Sequence, residues 1–113
     1  MATENTHVPE LDPVAAYQDA MRDDGVILDV REAEELAQHA LSGALHIPLG
    51  ELNLRVDEVP KDRNVYVLCH VGQRSAMATQ FLRSLGHDRV WNIRGGIVAW
   101  RIAGLPSESA RPD

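Results

Sequence analysis

The chain has 113 residues, 44% of them hydrophobic and 25% charged, which suits one soluble globular domain and is too short for two cores. Its formal charge of -6, with no run of Lys or Arg, argues against a nucleic-acid surface, and no apolar stretch approaches membrane-spanning length. The single cysteine excludes an internal disulfide, and Met1-Ala2-Thr3-Glu4 has neither a basic nor an apolar leader, so a cytoplasmic protein is expected.

In chain order, residues 1–6 read as a flexible polar arm, with His7 and Val8 starting a short edge strand. Leu11-Asp12-Pro13 announces a helix. Asp12 suits the cap, Pro13 the first helical position, and Val14, Tyr17 and Met21 form an apolar stripe ending at Asp23-Asp24-Gly25. Val26 to Val30 read as the next strand. Glu32, Glu34 and Glu35 then load the first turn of a short helix near Ala33 to Gln38 with the charge its dipole prefers. Ser42-Gly43-Ala44-Leu45-His46-Ile47-Pro48 supplies a turn and a short strand, and Leu49 to Leu54 a helical segment. Pro60 to Asn64 form a polar turn.

The most informative stretch follows. Val65-Tyr66-Val67-Leu68 is a short β-branched, aromatic and apolar run, as expected of a parallel strand covered on both faces, and it stops at Cys69. Beyond Gly72 the period changes: Ala78, Phe81, Leu82 and Leu85 repeat at helical spacing, giving a helix from about Arg74 to Leu85 with Gly86 as its left-handed stop. Val90, Trp91 and Ile93 form the last strand, Gly95-Gly96 permits a close backbone approach, and Ile97 to Arg101 begin a final helix. Trp100 reads as core rather than as a substrate contact, and Ser107 to Asp113 as a disordered tail.

A lone cysteine ending an apolar strand is usually an inert buried residue. Its neighbours change that reading. Successive amides from His70 to Ser75 can curl around one point, with the following helix aiming its positive end there, a setting that lowers a thiol pKa from about 8.5 toward roughly 3.5 to 7.5. Gly72 allows the turn and Arg74 adds a fixed positive charge, so the pocket favours an anion. The sequence leaves open whether Arg74 faces that pocket or a surface acid such as Glu108 or Asp88. The histidines at 7, 39, 46, 70 and 87 are scattered without metal-ligand spacing, so neither metal nor cofactor is expected. His70 is a loop residue whose backbone matters, since a thiolate made by the cradle needs no adjacent base.

Cys69-His70-Val71-Gly72-Gln73-Arg74-Ser75 resembles the active-site loop of rhodanese-family sulfurtransferases. Leu28-Asp29-Val30-Arg31 with Glu35, Gly43-Ala44 with Ile47-Pro48, and Gly95-Gly96 with Trp100, Gly104 and Pro106 resemble three further signatures of that family, in its order. One departure stands out: the family's Gly-His-Ile before the Gly-Ala is His39-Ala40-Leu41 here, so no role passes to His39. The resemblance implies a three-layer α/β/α rhodanese-like fold around a mainly parallel sheet, over residues 7–106. It implies Cys69 as catalytic nucleophile, with His70, Val71, Gly72, Gln73, Arg74 and Ser75 binding a small anionic sulfur donor such as thiosulfate. A persulfide on Cys69 would pass its sulfur to cyanide, a thiol or a protein acceptor, without nucleic acid or membrane as partner. With no second cysteine, release requires a separate molecule. For Asp29 and Arg31 the family suggests a part in orienting the loop. Tying loops together by a salt bridge, with Glu35 as a further partner, is the preferred reading.

Two rivals remain at this level. Cysteine-dependent phosphatases of related fold need Cys-x5-Arg to surround a tetrahedral oxyanion, whereas Arg74 follows Cys69 after four residues, a ring better suited to one sulfur atom. A sulfur-carrying or regulatory binding module would keep the fold and work only with a partner.

Overall fold

The computed structural model describes residues 8–22 and 25–109. The expected arm, His7, Asp23-Asp24 and residues 110–113 lie outside them. Among the described residues five strands form one sheet: β1 (Glu10–Leu11), β2 (Val26–Asp29), β3 (Leu45–His46), β4 (Val65–Leu68) and β5 (Val90–Ile93). Their order is β1-β5-β4-β2-β3, and every pairing is parallel. The helices are α1 (Pro13–Arg22), α2 (Ala33–Leu36), α3 (Gln73–Ser84) and α4 (Gly96–Ile102), with 3-10 segments at Leu49–Leu54 and Val56–Glu58.

The period of two along the strands sorts the layers. Val65, Val67 and Cys69 share a face with Leu28, Val30 and Val90, and pack against Ala78 and Leu82 of α3 and Leu52 of the first 3-10 segment. Tyr66, Leu68 and Ile93 take the opposite face, with Ala16 of α1 and Ile97 and Trp100 of α4. All four β4 side chains are at most 1% exposed, and burial of this kind is worth about 1.5 to 3 kcal/mol per large apolar side chain. Central β4 is therefore a firm base for whatever follows it. The architecture is the expected three-layer α/β/α arrangement.

Three local expectations need correction. Within the described residues the edge strand begins at Glu10 rather than Val8: Pro9 has no N–H to give the ladder, although its carbonyl accepts from Asn92 N at 2.8 Å. Asp12 caps α1 as expected, accepting from Ala15 N at 2.9 Å, but the stripe holds only at Tyr17. Val14 and Met21 are 41% and 68% exposed, whereas Tyr17 packs on the core as expected; α1 also buries Pro13 and Ala16 and packs Ala20 there, the alanines being small enough to let the helix lie close to the sheet. The tail reading from Ser107 also starts too early. Ala40 N donates to Glu108 O and Glu108 N to Ala40 O, both at 2.8 Å, an antiparallel bridge that holds this stretch against the domain.

Trp100 is core, as read. It is 2% exposed, meets Tyr17 edge-on with ring centroids 5.7 Å apart, and donates from Nε1 to Pro106 O at 2.8 Å. Gly86, at φ 96°, ends α3, with His87 N reaching back to Leu82 O at 3.1 Å.

Candidate active site

The carboxyl ends of β2, β4 and β5 open on the same edge of the sheet, where open α/β folds place their sites. Cys69 continues the β4 alternation toward α3 and is 1% exposed. Burial alone would raise its pKa. The Ser75 hydroxyl and the amides of Ser75, Gly72 and Arg74 outweigh that cost, and the thiol pKa lies below its ordinary value. Gly72 N donates to Sγ at 3.1 Å, and Ser75 Oγ lies 3.2 Å from it. The thiol is thus buried, yet the loop donors face it.

The loop curls because both its ends are held. Gly72 has φ 104°, a conformation that a side chain would strain, and it leads directly into α3. On the other side, Ile97 N donates to Cys69 O at 2.8 Å and Val98 N to His70 O at 3.2 Å, so the first turn of α4 grips the loop's carbonyls. With those carbonyls turned outward, the amides that follow turn inward. Gly96 makes this grip possible, since a Cβ there would lie 2.3 Å from His70 O and 2.6 Å from Cys69 O.

The six loop residues beyond the cysteine divide into three roles. Gly72 and Ser75 are buried against the sulfur, while His70, Val71 and Gln73 are exposed and form the rim. Arg74 contributes its amide to Sγ, but its guanidinium turns to Glu35, with Nη1 to Oε1 and Nη2 to Oε2 both at 2.8 Å. Neither Glu108 nor Asp88 is its partner. The positive charge still lies close enough to Cys69 for the two to stabilise one another.

Glu35 also closes the capping box of α2, accepting from Glu32 N at 2.9 Å. It therefore joins that helix to the loop through Arg74, not through Arg31. The Arg74 fork holds its carboxyl pKa down to about 2, against an ordinary 4.5. A carboxylate with a depressed folded pKa stabilises the fold above its unfolded value and loses that contribution as pH falls toward the folded one. The urea midpoint should accordingly drop as pH falls from about 4.5 to about 2, and Glu35→Gln should flatten part of that decline. An identical profile in Glu35→Gln would show that the ion pair contributes nothing to stability.

Asp29 and Arg31 form a separate, buried pair. Arg31 Nε lies 3.0 and 3.2 Å from the two Asp29 oxygens, Nη2 donates to Oδ2 at 2.8 Å, and the Arg31 amide donates to Oδ1 at 3.1 Å. The same Nη2 reaches His39 O at 2.8 Å, and His46 Nε2 contacts Arg31 O at 2.8 Å. This is the loop-tying role preferred from the sequence. His39 enters it through its carbonyl.

A hollow of about 290 Å³ lies beside the loop, between His39 and Glu35 on one side and His70, Val98 and Arg101 on the other. A second cavity of about 320 Å³, bounded by Tyr17, Gly25, Gly43, Trp100 and Pro106, contains no residue of the cysteine loop. The smaller of these two spaces is the one that adjoins the cysteine loop.

Asn92 went unnoticed in the sequence. It is 3% exposed on β5, with Oδ1 2.5 Å from Ser75 Oγ and Nδ2 3.3 Å from Gly72 O. An Asn between Trp91 and Ile93 breaks the apolar pattern of a buried strand, the one available signal that it had a polar partner.

Comparison with known proteins agrees with this geometry. The family model of the rhodanese-like domain matches residues 13–103. A protein named sulfurtransferase from Allochromatium vinosum is 42% identical over 84 residues, covering 74% of this chain and 78% of the relative. A thiosulfate sulfurtransferase, GlpE, of Actinobacillus succinogenes is 34% identical over 101 residues, covering 89% and 91%. Among solved structures, a rhodanese-related protein of Thermoplasma volcanium superimposes with a TM-score of 0.82 at 30% identity, covering 88% of this chain and 97% of that one. The cysteine loop, its parallel sheet and these matches together place the chain in the rhodanese-like domain family.

Proposed function

We propose that the protein is a sulfurtransferase that moves sulfane sulfur from a small anionic donor such as thiosulfate to a thiophilic acceptor through a persulfide on Cys69. The observation that carries this reading is the Cys69 sulfur with the Gly72 amide and Ser75 hydroxyl at 3.1 and 3.2 Å, its pKa lowered despite burial. The Cys69 thiolate attacks the outer sulfur of the donor; the donor's S–S bond breaks and sulfite departs with its electron pair. The negative charge then rests on the outer sulfur of the persulfide, close to the loop amides and the Arg74 charge. An acceptor such as cyanide attacks that outer sulfur, leaves as thiocyanate and returns the thiolate. Because Cys69 is the chain's only cysteine, the acceptor is a separate molecule, either a small thiol or a protein. A thiol used in this way must be kept reduced, which agrees with a cytoplasmic placement.

Intact-mass measurement after mixing with thiosulfate tests the reading. The expected result is one added sulfur atom per chain, removed by cyanide with stoichiometric thiocyanate. Absence of an adduct at every donor concentration would favour a binding module. Ready hydrolysis of an aryl phosphate with thiosulfate left unchanged would favour the phosphatase.

A further inference from the structure

The amide of Asn92 is oriented by its surroundings. Nδ2 lies 3.3 Å from Glu10 Oε2 and 3.3 Å from Gly72 O, both acceptors, so the NH2 end belongs on that side. Oδ1 is left facing Ser75, whose Oγ is 2.5 Å away. The same Oγ lies 3.2 Å from Cys69 Sγ. A hydroxyl carries one hydrogen, so Ser75 cannot donate to both.

We propose that Asn92 is a positioning residue that competes with Sγ for the Ser75 hydroxyl hydrogen and so sets how readily Cys69 ionises. While Cys69 is a thiol, its S–H donates to Ser75 Oγ, and Ser75 donates onward to Asn92 Oδ1. Once Sγ is a thiolate it only accepts. Ser75 turns to it, and Asn92 Oδ1 loses its donor inside a buried site. The thiolate gains one hydrogen bond by removing another, and the thiol therefore ionises less readily than the loop donors alone would make it. For a nucleophile this is useful, because attack weakens as basicity falls. In the persulfide the charge sits on the outer sulfur, and the Ser75 hydrogen returns to Asn92.

Other charges around the sulfur are fixed by their own partners: Arg74 by Glu35, with Glu32 beyond it; Arg31 by Asp29 at the end of β2; and Glu10 by Arg94 at 2.9 Å behind Asn92. His70 stands on the exposed rim of the loop. None of these residues is changed in the variants below. The inference rests on Cys69 as the nucleophile, but its test reads ionisation rather than turnover, so it can fail while sulfur transfer stands, and the reverse.

The pH dependence of Cys69 alkylation by iodoacetamide, checked by thiolate absorbance, should be compared in the native protein, Asn92→Ala, Ser75→Ala and the double variant. Asn92→Ala is expected to lower the midpoint by about one unit, a tenfold change in ionisation, and Ser75→Ala to raise it. In the Ser75→Ala background, Asn92→Ala should have no further effect. Should Asn92→Ala fail to fold, Asn92→Val, which suits a strand, gives the same reading. A role confined to holding Gly72 O predicts the opposite sign, since a loosened loop amide raises the midpoint. A midpoint that rises, stays unchanged, or falls equally without Ser75 overturns the proposal.

Discussion

Cys69→Ser should fold like the native protein and carry no sulfur. Oxygen is smaller than sulfur and can accept from the same Gly72 and Ser75 donors, so little packing is lost at a position that is only 1% exposed. The chemistry, by contrast, has no substitute. A serine hydroxyl does not ionise at neutral pH in this cradle, and no second thiol exists in the chain to take its place. Thiocyanate production from thiosulfate and cyanide should fall by roughly a thousandfold or more, the scale seen when an enzyme loses its nucleophile. The persulfide mass should vanish while circular dichroism stays unchanged. Retention of even a tenth of the activity would mean that sulfur passes elsewhere.

Asp29→Ala should produce the largest loss of stability. Arg31 is 2% exposed and spends its guanidinium on Asp29 and the His39 carbonyl, so removing the carboxylate strands a buried positive charge. Breaking one side of such a pair costs about 3 to 5 kcal/mol, a large part of the roughly 5 to 15 kcal/mol typical of a whole domain. Urea unfolding should register that loss. The combined Asp29→Leu and Arg31→Met variant should recover most of it, because a buried pair replaced on both sides by apolar groups of similar volume is often neutral. If Asp29→Ala instead stayed within about 1 kcal/mol of the native protein and lost sulfur transfer, the pair would belong to the reaction and not to the framework.

Local signals in the sequence carried much of this far. The run from Val65 to Leu68 announces a strand covered on both faces, and the change of period after Gly72 marks the helix, so the sequence itself places the cysteine at the junction between them. Gly95-Gly96 foretold a close backbone approach, and the structure shows Gly96 pressed against the Cys69 and His70 carbonyls. Long-range partnerships were not legible. Glu35 and Arg74 are 39 residues apart, and Ser75 and Asn92 are 17 apart, so neither pairing follows from spacing. The stripe on α1 holds at Tyr17 but fails at Val14 and Met21, for a different reason. Alanines at 16 and 20 look indifferent in a sequence, whereas against a sheet their small size lets the helix sit close, and the larger Val14 and Met21 were assigned inward in their place.

The grip of α4 on the cysteine loop reaches into biosynthesis. Ribosomal synthesis makes the thiol well before Ile97 and Val98, whose amides turn the Cys69 and His70 carbonyls outward. A nascent or partly unfolded chain consequently lacks the bonds that fix those carbonyls, and the loop around the thiol is held at both ends only when the last helix docks. The cradle belongs to the completed domain and not to any contiguous peptide within it.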